Sequence, residues 1–246
     1  MIYILLYFLA IILVILSLYR KFRVKPDDFL VYSRNGNEVE ISMSIVALVF
    51  GASSVFGLAG WAYKIGWNSI WWTLSGVIFL IILGITFVNV VYSFKGFTII
   101  DIIQSNFGKE IKIISSVILF IAWISVLSGQ IIAGGNITQT IVDNRIISIC
   151  IFSMIFGLYT IIWGQVGAIK TSVFQVVLMV LGLLIIFLIS ISKINYDFEV
   201  LRKAEIGFDK NFTFDLWLVV FISVGLSYLF GPDIYTRIFS SKDTET

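Results

Sequence analysis

The chain has 246 residues, 59% of them hydrophobic and only 13% charged, with a formal net charge of +2. Water-soluble domains carry about 25% charged residues, so an ordinary soluble globule is excluded, and the small net charge leaves no footprint for nucleic acid. Histidine is absent and Cys150 is the one cysteine, which removes disulfide scaffolds, Cys/His zinc sites and catalysis by a histidine base.

Seven apolar runs follow one another, over 2–18, 41–65, 69–94, 111–141, 146–163, 171–190 and 216–239. Each approaches or exceeds the roughly 20 residues a helix needs to cross a bilayer core. The predicted fold is therefore an all-α polytopic membrane protein with seven transmembrane helices. Residues 1–3 are uncharged, whereas Arg20, Lys21, Arg23 and Lys25 follow the first run. That order is the reverse of a signal peptide, so 1–25 reads as a retained leading helix with a basic cytoplasmic end. Alternating the spans from there puts eleven basic residues on cytoplasmic segments and six outside. The positive-inside rule then predicts N-out/C-in.

The second run contains Gly51-Ala-Ser53-Ser54-Val-Phe-Gly57-Leu-Ala-Gly60. Two readings stay open. Glycines and serines at this density weaken a helix at mid-depth, and a break there is tolerated where it lines a cavity, its freed carbonyls suiting a hard cation such as sodium. Alternatively, Ser53-x-x-x-Gly57 packs helices closely through small residues. Trp61, Trp67, Trp71 and Trp72 gather where the second and third runs meet, and are expected to form an interfacial belt.

The fourth run offers Ser128, Gly129, Gln130, Gly134, Gly135 and Asn136. Cys150, among Ile149, Ile151 and Phe152, is expected to be a small buried side chain. The seventh run offers Gly225, Ser227, Tyr228, Gly231 and Pro232, a second candidate for interruption. With the leading helix set aside, the two glycine-interrupted runs stand five apart, the spacing an inverted five-helix repeat requires. No Asp, Glu, Lys or Arg falls at the centre of a run; Asp233 and Arg237, at i and i+4, are expected to pair at the inner interface. The runs also lack a nucleophile with a base, so an enzyme is not expected.

At this point four patches carry a resemblance. They are Ser44-Ile-Val-Ala-Leu-Val-Phe-Gly-Ala-Ser-Ser-Val-Phe-Gly-Leu-Ala-Gly60 with the following Trp61-Ala-Tyr-Lys-Ile-Gly66, Thr98-Ile-Ile-Asp101 through Asn106-Phe-Gly108, Tyr159-Thr-Ile-Ile-Trp-Gly-Gln-Val-Gly-Ala-Ile-Lys-Thr-Ser-Val-Phe-Gln175, and Gly231-Pro-Asp-Ile-Tyr-Thr-Arg237 through Ser241-Lys242-Asp243. In this order they resemble the sodium/solute symporter family. The resemblance implies sodium-coupled symport of a small solute by alternating access, in a five-plus-five inverted-repeat fold. It divides the chain into a first five-helix repeat over 41–192, an external loop over 193–215 and the first helix of the second repeat over 216–240, with the rest of that repeat absent.

The resemblance also implies roles. Sodium is held by the backbone carbonyls of Ala47 and Phe50. Ser53 and Ser54 face the solute, and Ser227 and Tyr228 stand at the inner gate. The family's polar position on the third core helix falls at Val126, with Gln130 one turn on as its substitute. Ser172 stands where the family commonly has an aspartate at the sodium exit. A sugar suits these residues less well than a small organic acid, an amino-acid-like solute or an anion. The expected partners are the solute, sodium, the lipid bilayer of the plasma membrane and a second chain supplying the missing helices; no other cofactor is expected. The alternative function is a solute-sensing membrane module derived from a transporter.

Overall fold

The computed structural model describes residues 26–193 and 206–244, which are all-α. The leading run over 2–18, and residues 194–205 of the 193–215 loop, lie outside the described residues. Helix α1 (Pro26–Val31) and a 3-10 turn (Tyr32–Arg34) precede α2 (Glu38–Val49). A reciprocal cap starts α2: Asn37 Oδ1 accepts from the Glu40 backbone N–H at 3.0 Å, and the Asn37 N–H donates to Glu40 Oε2 at 3.4 Å.

The run over 41–65 is two helices. Phe50 (φ −97°, ψ 48°) and Gly51 (φ −68°, ψ 168°) leave the helical region, and α3 (Ala52–Ile65) starts afresh. Gly66, at φ 60°, ends α3 and leads through a 3-10 turn into α4 (Ile70–Ile82), a π turn (Leu83–Phe87) and α5 (Val88–Ser93).

Helix α6 (Ile99–Thr138) opens on Thr98, whose hydroxyl accepts from the Ile100 N–H at 3.2 Å while Asp101 accepts from the Thr98 N–H at 3.1 Å. Gly108 (φ 84°) interrupts α6 and sets its first turns apart from the long apolar part. Helix α7 (Arg145–Lys193) bends at Gly164 (φ 53°, ψ −134°). The sequence suggests a connection between runs 146–163 and 171–190, but one glycine in a conformation closed to L side chains is enough to turn the chain. A Cβ at Gly164 would lie 2.5 Å from the Phe29 carbonyl oxygen, so α1 seats against the bend.

The run over 216–239 is likewise two helices, α8 (Phe214–Phe230) and α9 (Pro232–Ser240), joined by extended Gly231 (φ −63°, ψ 118°). Pro232 opens α9 at a position whose N–H has no intrahelical partner in any case.

Four stretches among the described residues are long and apolar enough to cross a membrane: Ser54–Ser93, Ile99–Thr138, Arg145–Lys193 and Phe214–Ser240. The first and third, at 40 and 49 residues, exceed the roughly 20 residues of a single crossing, and they change direction at Gly66 and Gly164. The outer faces of α6 and α7 are apolar: Ile118 is 62% exposed, Phe120 67% and Phe187 60%, a surface that lipid rather than water satisfies. Cys150 is exposed on α7, against the expectation that it packs inside; the neighbouring Ile149 and Phe152 are the side chains that meet α6, at Gly135 and Gly134.

Helix α4 packs along α8, and α2 and α6 both pack on α7. The main core lies at one end, where Val31, Leu83, Val91, Ile99, Ile234 and Phe239 meet. Arg34 laces that end together. Its guanidinium donates to the carbonyls of Lys95 (2.5 Å), Gly96 (3.2 Å) and Phe239 (3.4 Å). Beside it, the Gly36 N–H donates to Ser240 O and the Lys242 N–H to Gly36 O, both at 2.9 Å. An ion pair of Lys170 with Glu40 ties α7 to the first turn of α2.

Candidate functional site

A helix end leaves its last four carbonyls without intrahelical partners. In α2 the Phe50 N–H still reaches Val46 O, at 3.1 Å. The carbonyls from Ala47 to Phe50 are therefore the ones freed by the break. Gln130 of α6 faces the break: a Cβ on Gly51 would lie 2.5 Å from its Nε2 and 2.9 Å from its Oε1. The amide group, able to donate and accept at once, thus lies against the gap between α2 and α3.

Two cavities border the break. The larger, about 730 Å³, is lined by Phe50, Ser54, Leu58, Trp67, Trp72 and Tyr228 among others, and is nearly all apolar. The second, about 640 Å³, takes in Ser54, Trp61, Trp72, Trp123, Gln130, Ser227, Tyr228 and Asp233. Both volumes are in the range of small-molecule sites, roughly 300–1,000 Å³. Ser54, Trp72 and Tyr228 border both cavities. The Tyr228 ring lies over Gly76 of α4, where a Cβ would stand 2.6 Å from Cε2, and that close approach fixes its position.

The structure thus brings Phe50, Ser54, Gln130, Ser227 and Tyr228 to the two cavities. Ser53 is in the first turn of α3, and its side chain lies outside the described residues. Ala47, half-buried in α2, lines neither cavity. Ser172 is buried on α7, where its hydroxyl donates to its own helix at Ala168 O, 2.6 Å away; it too lines neither cavity.

Two features add to the sequence reading. Trp61 and Trp72, expected in an interfacial belt, also line the cavity and meet edge to face with ring centroids 5.5 Å apart. Asp233, expected to pair with Arg237, lines the cavity while its charge still interacts with the Arg237 guanidinium. Among the described residues the two make no N···O contact within 4.0 Å, and the Arg237 Nε is buried without a hydrogen-bond partner. Gly231 starts a new helix that carries both residues, and in its first turn Asp233 Oδ1 accepts from the Ile234 N–H at 3.0 Å. Pro232 next to an acid in an otherwise apolar run was the available signal.

The sodium/myo-inositol cotransporter of Homo sapiens is 24% identical over 202 residues, which is 80% of this chain and 28% of that protein. The sodium/glucose cotransporter of Vibrio parahaemolyticus is 26% identical over 151 residues, 58% of this chain and 26% of its own length. Sodium/glucose cotransporter 4 of Danio rerio is 29% identical over 175 residues, 67% and 26% respectively. The chain spans roughly a quarter of the length of these relatives. No solved structure matches it. The profile of the sodium:solute symporter family, a family of membrane transporters rather than enzymes, matches residues 29–246. Continuous over nearly all of the sequence and taking in both helix breaks, that match makes this chain a member of the sodium:solute symporter family.

Proposed function

We propose that the chain forms the solute and ion site of a sodium-coupled symporter working by alternating access. Sodium sits at the carbonyls of Ala47 and Phe50, and the solute occupies the 640 Å³ cavity against Ser53, Ser54, Gln130, Ser227 and Tyr228. Ser172 lies on the ion's way out. The observation that carries this reading is the break at Phe50–Gly51, with freed carbonyls on one side and a cavity holding the Gln130 amide on the other. Broken helices at a cavity are where carriers of this type bind their cargo.

In this proposal the seven runs are seven spans, N-out/C-in, in the plasma membrane. The division over 41–192, 193–215 and 216–240 follows an inverted repeat, whose two opening helices are the ones broken at Gly51 and Gly231. Two carbonyls are fewer oxygens than hard cations take, about six to eight for calcium. Oxygens from a further transmembrane segment complete the site, whether on the same polypeptide or on a second chain.

The test is uptake and retention of radiolabelled solutes by proteoliposomes, with an inward sodium gradient or potassium in its place. A panel of one polyol, one carboxylate and one ammonium compound covers the charge classes. Sodium raises the signal of at least one of them if the proposal is right. Equal signals in sodium and potassium for all three overturn it.

A further inference from the structure

Among the described residues, the 640 Å³ cavity is lined by one carboxylate, that of Asp233, and by no lysine or arginine. An ionisable group inside a membrane protein is costly and marks function by default. One local contact holds this one: Oδ1 accepts from the Ile234 N–H at 3.0 Å. Gly231 makes room for it, since a Cβ there would stand 2.5 Å from Oδ1. Arg237, one turn further along α9, lies outside the lining; it makes no N···O contact within 4.0 Å with Asp233 among the described residues, although the two charges attract one another.

The lining of the same cavity also includes Trp61, Trp72, Trp123 and Tyr228. Indole and phenol faces attract cations through the ring quadrupole, by about 0.5–2 kcal/mol each depending on desolvation, and aromatic walls of this kind recognise alkylated ammonium groups. A carboxylate and four rings therefore favour the same ligand charge. An anionic solute would meet Asp233 unfavourably. Of the solutes expected from the sequence, the charge of Asp233 argues against an organic acid or anion and suits an amino-acid-like solute through its ammonium group.

We propose that the cavity selects a solute bearing an ammonium group, preferably alkylated, with Asp233 as the specificity-determining residue. This rests on the reading of the cavity as the solute site. The solute's cationic head lies among the rings and toward Asp233, and its remaining polar atoms meet Gln130 and the hydroxyls of Ser54 and Ser227.

The experiment is a titration of tryptophan fluorescence on the purified full chain in lipid nanodiscs, at constant ionic strength. The probes are choline, its uncharged isostere 3,3-dimethyl-1-butanol, acetate and myo-inositol. Choline is expected to change the emission saturably and to bind at least about tenfold more tightly than the isostere, the order of a desolvated cation–π and carboxylate contact. Asp233→Asn should weaken choline by a similar factor and leave the isostere unchanged, while Asp233→Glu keeps the preference. Equal binding of choline and isostere by the native chain overturns the proposal, with no variant needed. Binding of acetate or myo-inositol but not choline also overturns it and leaves the solute-site reading standing. If none of the four probes binds, both fail together.

Discussion

The Gln130 side chain fills the space where a side chain on Gly51 would be, with Nε2 2.5 Å from the position of that Cβ. The helix break and the amide on α6 are therefore one unit, and neither can change without the other. Gly51→Ala is expected to push the amide away and cut sodium-dependent solute binding, at an overpacking cost of about 1–3 kcal/mol. In a Gln130→Ala background the same substitution should cost much less, because the clash is gone. A double-mutant cycle measured by solute binding and thermal unfolding reads this coupling. Additive effects would show that the two residues act separately.

Gly164 joins the two halves of α7 at φ 53° and ψ −134°, with the Phe29 carbonyl at its back. Gly164→Ala is expected to destabilise by about 1–3 kcal/mol from backbone strain alone, with the Phe29 contact adding to it. Gly157→Ala, in the same helix with open space around it, should be neutral or slightly stabilising. Thermal unfolding of the two variants side by side in one detergent makes the comparison.

Arg34 donates to three carbonyls contributed by the 95–96 turn and the end of α9. Hydrogen bonds from charged groups contribute about 1.5–3 kcal/mol each and are not additive. Arg34→Ala should therefore raise the rate of proteolysis at the 93–98 turn before it affects the rest of the bundle. Arg34→Lys should restore little, since an ammonium cannot present the fork that reaches separate carbonyls. Rescue by lysine would mean that charge alone matters.

Tyr32 is buried beneath Lys170, whose Nζ lies 5.3 Å from the ring centroid. Burial, above all, raises its hydroxyl above the ordinary value of 10.0. The folded chain keeps this proton where the unfolded chain loses it, so the group's contribution to stability is complete below 10.0 and declines as pH rises past it. Tyr32→Phe should remove that part of the alkaline slope in unfolding curves. An unchanged slope would assign it to other groups.

Local chemistry was readable in the sequence, and long-range placement was not. The density of glycine and serine around Gly51 marks a weak point in a helix, and Thr98 with Asp101 marks a helix start; both depend on near neighbours alone. The division of the 216–239 run at Gly231 follows from the same kind of signal. Asp233 is different. Its spacing from Arg237 puts both on one face of α9, but what that face meets depends on where the Gly231 break aims the helix. Trp61 and Trp72 look alike whether they face headgroups or a cavity, since an indole serves both. The contacts of Arg34 join positions 205 residues apart in the chain, and no periodicity encodes such a meeting. Ser172 matches its family position by sequence, yet its hydroxyl is taken up by its own helix.

The pairing of Gly36 with Ser241 also sets an order of events during synthesis. Chains leave the ribosome from the N-terminus at roughly 5–20 residues per second, so the segment around Gly36 waits at least about ten seconds for its partner to be made. During that interval the carbonyls of Lys95 and Gly96 come within reach of Arg34, while that of Phe239 has yet to be made. Closure of this end of the bundle is therefore completed only when α9 arrives, and a chain stalled before Ser240 would be left open at that point.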